Sequence, residues 1–437
     1  MTVEPVFIDR ITRPFQVFLK HKLAGAGLLL LFTIIALIWA NSGYKDSYHE
    51  LLHTYATIGI GKFELSKTLS HWINDGLMGI FFFVVGLEIK REFLAGELAN
   101  PKTAALPIFG ALGGVLAPAL IYFAINPSGE ASLGWGIPMA TDIAFALGIL
   151  ALLPVSISLK VFLTALAIVD DIGAILVVAI FYTDDIALQS LALGGCFLLV
   201  SIAANMAGAR NPALYFLIGF VVWVAFLKSG VHATLAAVLM AFTIPARTRI
   251  HGNQFAEQAE ALLKRLRETG LPQGNALLSS EQHSIVHSME QVTEKATAPL
   301  QELEHTLMPF VTFLIMPIFA LANAGVVIAE DFGAVITNSI AVGIVAGLVI
   351  GKPLGIFVFA WLSVKLKVAE LPEGVTFTQI GAVGMLAGVG FTMALFISTL
   401  AWADESIIET AKTGVLIGSL ISAVIGSFLL YLTTRKS

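Results

Sequence analysis

Charge and cysteine are both scarce in this sequence. Charged residues make up 13% of its 437 residues, whereas soluble domains carry about 25%. A hydrophobic share of 57% and a mean hydropathy of +0.87 exclude a soluble fold and indicate a polytopic membrane protein. The one cysteine, Cys196, excludes an internal disulfide. We expect membrane lipid as a partner, and no nucleic acid.

Twelve apolar runs are candidate membrane spans, since about 20 apolar residues cross a bilayer. Residues 1–22 are mixed in charge and lack a cleavage site, so the first run predicts an uncleaved span. The sequence thus predicts an all-α polytopic membrane protein with about 12 transmembrane helices. The runs lie at 23–40, 72–89, 105–125, 135–153, 159–182, 186–207, 212–227, 230–246, 306–328, 338–363, 376–401 and 407–432.

A long connection divides the chain into three parts. We expect an N-terminal membrane half at 1–246 with spans 1–8, a partly helical cytoplasmic loop at 247–305, and a C-terminal membrane part at 306–437 with spans 9–12. Most Lys and Arg residues fall in connections on the side of the N-terminus. Because cytoplasmic loops carry an excess of these residues, we expect both termini in the cytoplasm.

The connection 41–70 is the long extracytoplasmic one. Alternating residues around Gly61-Lys62 predict a short hairpin near 54–68. A lone hairpin is marginal in water, so we expect it to pair with something, such as another subunit.

The loop 247–302 predicts two helices. The first covers 256–268, and a capping box of Ser279 and Gln282 begins the second. On the second helix, one face carries two histidines and a glutamate, for which a metal site and a solvated helix face are the alternatives. These residues are His283, His287 and Glu290.

Two adjacent carboxylates, Asp170 and Asp171, lie in the middle of the apolar run 161–182. A central Asp costs roughly 2.5–3.5 kcal/mol on insertion scales, and two such groups cannot both be ionised without help. Groups that carry this cost bind a cation, a proton or a partner. Bonding to neighbouring helices for packing alone is the alternative.

Two further spans look interrupted. Pro138 and its neighbouring glycines weaken the helix before Thr141 and Asp142, and four glycines interrupt the motif at 381–392. A broken helix leaves backbone groups that can help to hold an ion. A kink that Thr141 and Asp142 merely cap is the alternative for the first motif, and close helix packing without a break is the alternative for the second.

Lys352 lies inside the span 338–363. A buried ammonium needs a carboxylate partner, or it loses its proton. The alternative is a side chain that snorkels to the surface.

The span 72–89 carries charges at both ends. Glu88, Arg91 and Glu92 share a helix face at the expected cytoplasmic mouth. They form either a titratable cluster that attracts cations or a solvated helix end. Asp75, near the other end, either lines an exit or makes an internal contact.

These motifs together resemble the NhaA-type sodium/proton antiporters, from the first span to the last. NhaA is itself an example of inverted repeats with interrupted helices at their crossing, so the resemblance implies that architecture. The matching motifs are Trp72-Ile73-Asn74-Asp75, Gly86-Leu87-Glu88-Ile89-Lys90-Arg91-Glu92, Ala140-Thr141-Asp142-Ile143-Ala144-Phe145-Ala146-Leu147-Gly148, Ala167-Ile168-Val169-Asp170-Asp171-Ile172-Gly173-Ala174-Ile175, Leu227-Lys228-Ser229-Gly230-Val231-His232-Ala233-Thr234-Leu235 and Gly351-Lys352-Pro353-Leu354-Gly355.

The resemblance implies the roles of the buried residues. The Asp that matches Asp171 is the family's main ion ligand and proton carrier, and the Asp that matches Asp170 pairs with the Lys that matches Lys352. A Na⁺ or Li⁺ site is therefore expected at Asp171 and Asp170. Thr141 and Asp142 are expected nearby, where two broken helices cross and Asp142 compensates the facing helix ends.

The resemblance also implies regulation and assembly. The residues that match Glu88, Arg91, Glu92 and Glu304 belong to the family's cytoplasmic pH-response region, and the histidine that matches His232 is linked to pH response. The hairpin is a dimer contact in that family, so a homodimer is expected. The sequence departs from that family in two places near this region: the loop 247–302 is longer, and Met308 stands where a second histidine can occur.

The mechanism expected from these residues is competition between ions. Adjacent helical residues point about 100° apart, so one of the two aspartates can face an ion cavity while the other faces Lys352. The resemblance implies that Asp171 faces the cavity and Asp170 faces Lys352. A proton and Na⁺ then compete for Asp171, and two protons exchange for one Na⁺. We expect this in a bacterial inner membrane, for sodium and pH homeostasis, with Na⁺, Li⁺ and H⁺ as transported ions and no cofactor.

Three other functions are alternatives to antiport. A symporter for an organic solute lacks an obvious pocket in this sequence. An intramembrane aspartyl protease using Asp142 and Asp171 needs a dyad that shares a proton, and the motifs of such proteases are absent. A passive channel fits isolated carboxylates on broken helices less well than occlusion does.

Overall fold

The computed structural model describes residues 22–60, 63–183, 186–269, 277–327 and 332–435. Within these ranges one two-stranded hairpin accompanies a chain of helices, which confirms the all-α class. The elements are α1 (Lys22–Ala40), α2 (Lys45–His53), β1 (Tyr55–Ile60), β2 (Phe63–Thr68), α3 (Leu69–Ala95), α4 (Pro101–Ile125), a 3₁₀ segment (Glu130–Met139), α5 (Ile143–Leu152), α6 (Ile157–Phe181), α7 (Leu188–Met206), α8 (Pro212–Leu227), α9 (Ala233–Thr243), α10 (Gly252–Glu268), α11 (Ser280–Ala296), α12 (Pro299–Asn323), α13 (Phe332–Thr337), α14 (Ser339–Lys365), α15 (Phe377–Ala387), α16 (Phe391–Ala401) and α17 (Glu405–Thr434).

The twelve predicted apolar runs all fall on helical segments of the described residues, and not every one of these segments is long enough to count as a span by length and composition alone. In the described ranges, eight helices are long and apolar enough to cross a membrane, or ten if two bent pairs each count as one span. The bent pairs are α1 with α2, at 112°, and α15 with α16, at 49°. The predicted spans at 212–227 and 230–246 correspond to the shorter apolar helices α8 and α9. Hydropathy locates apolar runs, but it cannot determine which runs are short or bent helices.

The hairpin pairs β1 with β2 in antiparallel register, from Tyr55 opposite Thr68 to Ile60 opposite Phe63. The predicted turn at Gly61-Lys62 lies outside the described residues. Trp72 at the start of α3 donates its indole N–H to the Ala56 carbonyl, 2.9 Å away. The hairpin is therefore attached to the membrane-spanning region of its own chain.

The loop 247–302 contains the two expected helices, α10 and α11, which pack against each other. The Ser279–Gln282 capping box is present at the start of α11. His287 Nδ1 lies 3.3 Å from Glu290 Oε2 on the exposed face. Across the described part of the chain, no three His, Cys, Asp or Glu side chains are grouped to hold a metal ion, so the solvated-face interpretation is favoured.

Close packing of α4, α6 and α14 forms the part of the core that positions the charged residues. Gly113 on α4 lies directly against the backbone of Gly355 on α14, where a Cβ on either residue would collide with the other's carbonyl. A π-helical stretch, Gly347–Gly351, immediately precedes Lys352. The backbone contact therefore brings Lys352 close to α6.

Candidate functional site

The adjacent residues Asp170 and Asp171 on α6 are both buried but have different surroundings. Asp170 Oδ2 lies 2.5 Å from Lys352 Nζ. Asp171 instead lines a cavity of about 430 Å³. The two side chains therefore take different directions, as the angle between successive helical residues allows.

Lys352 is the first residue of the α-helical part of α14 that follows the π-helical stretch. Its side chain is fully buried and also donates to the Met139 carbonyl. The Lys352 side chain therefore does not snorkel to the membrane surface. Because a buried charge without a partner is costly, Lys352 and Asp170 depend on each other for charge compensation.

The breaks in the two interrupted spans meet beside this ion pair. The Asp142 N–H donates to the Val389 carbonyl at 2.7 Å. The Thr141 hydroxyl lies 2.6 Å from Asp170 Oδ2 and 2.9 Å from the Ala387 carbonyl, and both oxygens are acceptors. Thr141 therefore links one break to the other break and to the ion pair.

Asp142 serves the ends of both broken spans. Its Oδ1 accepts from the Phe145 N–H at 2.9 Å, which caps α5. Its Oδ2 accepts from the Thr392 N–H at 3.1 Å and from the Thr392 hydroxyl at 2.5 Å. Asp142 therefore does cap a helix, as one of the two alternatives from the sequence predicts, and it also binds the second broken span. Both carboxylate oxygens of Asp142 are thus used to bind the ends of the broken spans.

The cavity at Asp171 extends along one face of α6. Lys160, Thr164 and Asp171 line it in succession, and the eleven steps along the helix from Lys160 to Asp171 cover about 16 Å. Glu88 of α3 and Met308 of α12 line it as well. Since the lining includes carboxylates and a hydroxyl, the cavity suits a hydrated cation.

Arg91 joins the charged cluster that the sequence predicts. Its guanidinium lies 3.2 Å from Glu92 Oε1, 3.8 Å from Glu88 Oε1 and 3.1 Å from Glu304 Oε2. Glu304 comes from α12, so the cluster connects two helices that are distant in sequence. Its residues are partly buried, which favours a defined cluster over a fully solvated helix end.

Asp75 and His232 lie away from this cluster. The Asp75 backbone carbonyl accepts from the Trp223 indole N–H at 3.1 Å. His232 precedes α9 and contacts the Tyr182 carbonyl through Nε2. The two side chains are close enough to interact electrostatically, so they form a second polar region.

The sequence interpretation missed Thr392 and Lys160 as site residues. Thr392 binds Asp142 through its backbone and side chain, and Lys160 lines the ion cavity. The position of Thr392 just after Gly388-Val389-Gly390 was a usable signal, because a polar residue at a helix break often binds the exposed helix end. Lys160 had no comparable signal.

Comparison with known proteins finds sodium/proton antiporters that match nearly the whole chain. The model of a family described as Na⁺/H⁺ antiporter 1 matches residues 16–430. A Na⁺/H⁺ antiporter NhaA of Oleidesulfovibrio alaskensis is 49% identical over 99% of this chain and 96% of its own. The NhaA of Koribacter versatilis is 47% identical over 97% and 92%. The NhaA of Escherichia coli is 43% identical over 96% and 98%.

Proposed function

Because this chain belongs to the Na⁺/H⁺ antiporter 1 family, we propose that it is an electrogenic exchanger that expels one Na⁺ or Li⁺ for two protons. As a sodium/proton antiporter it is a transporter and not an enzyme. The observation that supports exchange of two protons for one ion is the separation of the two carboxylates. Asp171 lines the cavity, while Asp170 is held by Lys352 at 2.5 Å.

Competition at Asp171 couples the two ions. When Asp171 is protonated it has no charge to hold Na⁺; once it is ionised, its oxygens bind the cation. Thr141 Oγ1 and Asp170 supply further oxygens, since hard cations prefer oxygen ligands. Asp142 stands beside this site and holds the two breaks together.

The second proton comes from the ion pair. If Na⁺ draws Asp170 away from Lys352, the buried ammonium loses its compensating charge and releases a proton. Return of that proton restores the pair. Two protons then enter for each Na⁺ expelled, and the one net charge carried inward is worth about 2.3 kcal/mol at 100 mV. The membrane potential would therefore drive Na⁺ expulsion.

The setting of this exchange is a bacterial inner membrane with both termini in the cytoplasm. The cluster of Glu88, Arg91, Glu92 and Glu304 serves as its pH-responsive region at the cytoplasmic mouth, and His232 with Asp75 contributes from the other side. A homodimer forms through the hairpin of β1 and β2.

A direct test is Na⁺-dependent proton flux in proteoliposomes with a pH dye, at several pH values. We expect Na⁺ and Li⁺, but not K⁺, to drive proton movement, and an imposed membrane potential to change the rate. Asp171→Asn should abolish flux. Glu370→Gln, an exposed position, is the control. Full flux in Asp171→Asn would remove Asp171 from the mechanism. A flux rate that does not change with the membrane potential would exclude electrogenic exchange.

A further inference from the structure

A second cavity, of about 540 Å³, lies between α3 and α8, with α9 as its floor. We call it the aromatic groove. Among the described residues that line it, every side chain is apolar or aromatic and none is charged. Its defining residues are Trp72, Gly76, Phe216, Gly219, Trp223 and Met240.

Three lining side chains carry a polar atom, and each of these atoms is already bonded to the backbone of this chain. Trp72 donates to the Ala56 carbonyl at 2.9 Å, and Trp223 donates to the Asp75 carbonyl at 3.1 Å. Tyr215 donates to a carbonyl as well, at 2.8 Å. The aromatic groove therefore presents ring carbons and methyl groups and selects an apolar occupant.

The aromatic groove is formed in advance of any occupant. The Trp72 and Trp223 rings stack at a centroid distance of 6.4 Å, and Phe220 stacks on Trp223 at 6.2 Å. At Gly219 no side chain projects into the groove, and an added Cβ would meet only Met240, at 3.6 Å. Rings that support one another keep the space open without an ordering cost on binding.

The rim of the aromatic groove faces the membrane. Phe216 and Phe220 are 46% and 61% exposed on α8, an apolar helix that packs against the membrane span α7. From Leu69 to Phe83, the lining part of α3 covers about 21 Å at the rise of a helix. One leaflet of the ~30 Å hydrocarbon core is about 15 Å deep. The groove is therefore long enough for one lipid chain.

Two lysines and a histidine are close in sequence to the end of the aromatic groove that lies next to the hairpin. Lys67 and His71 flank Leu69, which begins α3, and Lys228 follows the end of α8. Lys67, His71 and Lys228 are all exposed. A phosphate at this end would complement these side chains.

We propose that the aromatic groove binds one acyl chain of a membrane phospholipid, whose phosphate lies at Lys67, His71 and Lys228. Lipid tails are as apolar as the groove walls, so moving a chain from the bilayer into the groove gives no hydrophobic gain. Selection therefore comes from packing against the rings and from the phosphate contacts. The bound lipid fills the space between α3, which carries Glu88, and α8.

Titration of the delipidated full chain in detergent with phosphatidylglycerol, followed by native mass spectrometry, tests the site. Gly219→Leu fills the groove. Gly195→Leu on α7 is the matched control, because an added Cβ there meets nothing within 4 Å. We expect saturable binding of one phosphatidylglycerol by the wild type and the control, and at least tenfold weaker binding by Gly219→Leu.

Equal lipid binding by all three proteins would overturn the proposal. So would a wild type that binds no lipid while Gly219→Leu converts a dimer to a monomer, since a second copy of the chain would then fill the groove. Lys67→Gln combined with Lys228→Gln should weaken phosphatidylglycerol binding severalfold. Unchanged binding in that double variant would overturn the phosphate assignment.

A fluorescence measurement keeps Gly219 and both lysines unchanged, with Trp72 and the other removed tryptophans replaced by phenylalanine. Proteins that retain either Trp223 or the 41%-exposed Trp361 as their one tryptophan are mixed with phosphatidylglycerol carrying a brominated chain, and free lipid is removed. We expect quenching to persist at Trp223 and to vanish at Trp361. Equal quenching at the two positions would contradict a specific site. Neither lipid experiment measures transport, so its result is independent of the antiport assay.

Discussion

Lys352 Nζ lies 2.5 Å from Asp170 Oδ2, and neither side chain is exposed to solvent. The next residue along α6, Asp171, lines a cavity instead. This arrangement separates a carboxylate that can exchange ions from one whose charge is compensated inside the protein. Its consequences can be tested one residue at a time.

Removing the cation of the ion pair should affect both stability and coupling. In Lys352→Ala, Asp170 becomes a buried carboxylate without its partner, a loss of about 3–5 kcal/mol for a broken buried pair, unless Asp170 takes up a proton. We expect a lower unfolding temperature in detergent, and a changed stoichiometry or pH profile of exchange in proteoliposomes. Lys365→Ala, an exposed position on α14, is the control. Wild-type stoichiometry and pH profile in Lys352→Ala would remove this lysine from the mechanism.

The Thr392 hydroxyl should stabilise the junction of the two broken spans. Thr392→Val removes a 2.5 Å bond to Asp142 and keeps the side-chain volume. Hydrogen bonds to charged groups contribute about 1.5–3 kcal/mol, so a loss of stability of that size and slower exchange are expected. Thr392→Ser should restore both. Thr399→Val, whose hydroxyl bonds only within its own helix, should change little; an equal effect of the two valine variants would contradict the assignment.

The contact between α4 and α14 should tolerate no side chain. Gly113→Ala places a Cβ against the Gly355 carbonyl, so the helices must separate and Lys352 must move away from α6. We expect reduced thermal stability together with impaired exchange. Gly195→Ala is the matched helical control in open space, where the change should be neutral or stabilising by up to about 1 kcal/mol. Normal exchange in Gly113→Ala would show that this close approach does not position the site.

The positive charge of Lys160 should oppose cation entry. It lines the same cavity as Asp171, about 16 Å away along α6. Across about 16 Å of water, a unit charge changes ion occupancy by roughly 1.5-fold. Lys160→Gln should therefore lower the KM for Na⁺ by about that factor at low ionic strength, with little change in kcat. The exposed Lys102→Gln should leave KM unaltered, and a difference in KM between wild type and Lys160→Gln that persists undiminished at high salt would argue against the electrostatic effect.

The cluster around Arg91 should set the pH range of exchange. Arg91 faces Glu88, Glu92 and Glu304, and His305 lies close enough to Glu304 to interact with it. A carboxylate that loses a cationic neighbour needs a higher pH to ionise. If ionisation of the cluster activates exchange, the activation curve of Arg91→Ala should move to higher pH. The exposed Arg267→Ala should keep the wild-type curve; a shift of Arg91→Ala to lower pH would contradict this role.

Several features could be predicted because they depend on local chemistry. Scarce charge and long apolar runs are enough to place the chain in a membrane. Lipid offers no hydrogen-bond partners, so the segments inside it need apolar side chains and backbone groups that bond to one another. Pro138 and Gly388-Val389-Gly390 interrupt helices through their own backbone properties, and the structure has breaks beside both. The hairpin also follows from local alternation and its turn residues.

Helix geometry left open which of the two neighbouring aspartates faces the ion pair, and the family resemblance assigned Asp170 to it; the tertiary structure shows that arrangement directly. It also brought Thr392 to Asp142 and Glu304 to Arg91, and it showed that the apolar runs at 212–227 and 230–246 form short helices. These relationships depend on how distant helices pack, and packing is set by the shapes of whole surfaces, such as the contact of Gly113 with Gly355. Hydropathy and spacing describe one segment at a time, so they identify the charged residues but not their partners.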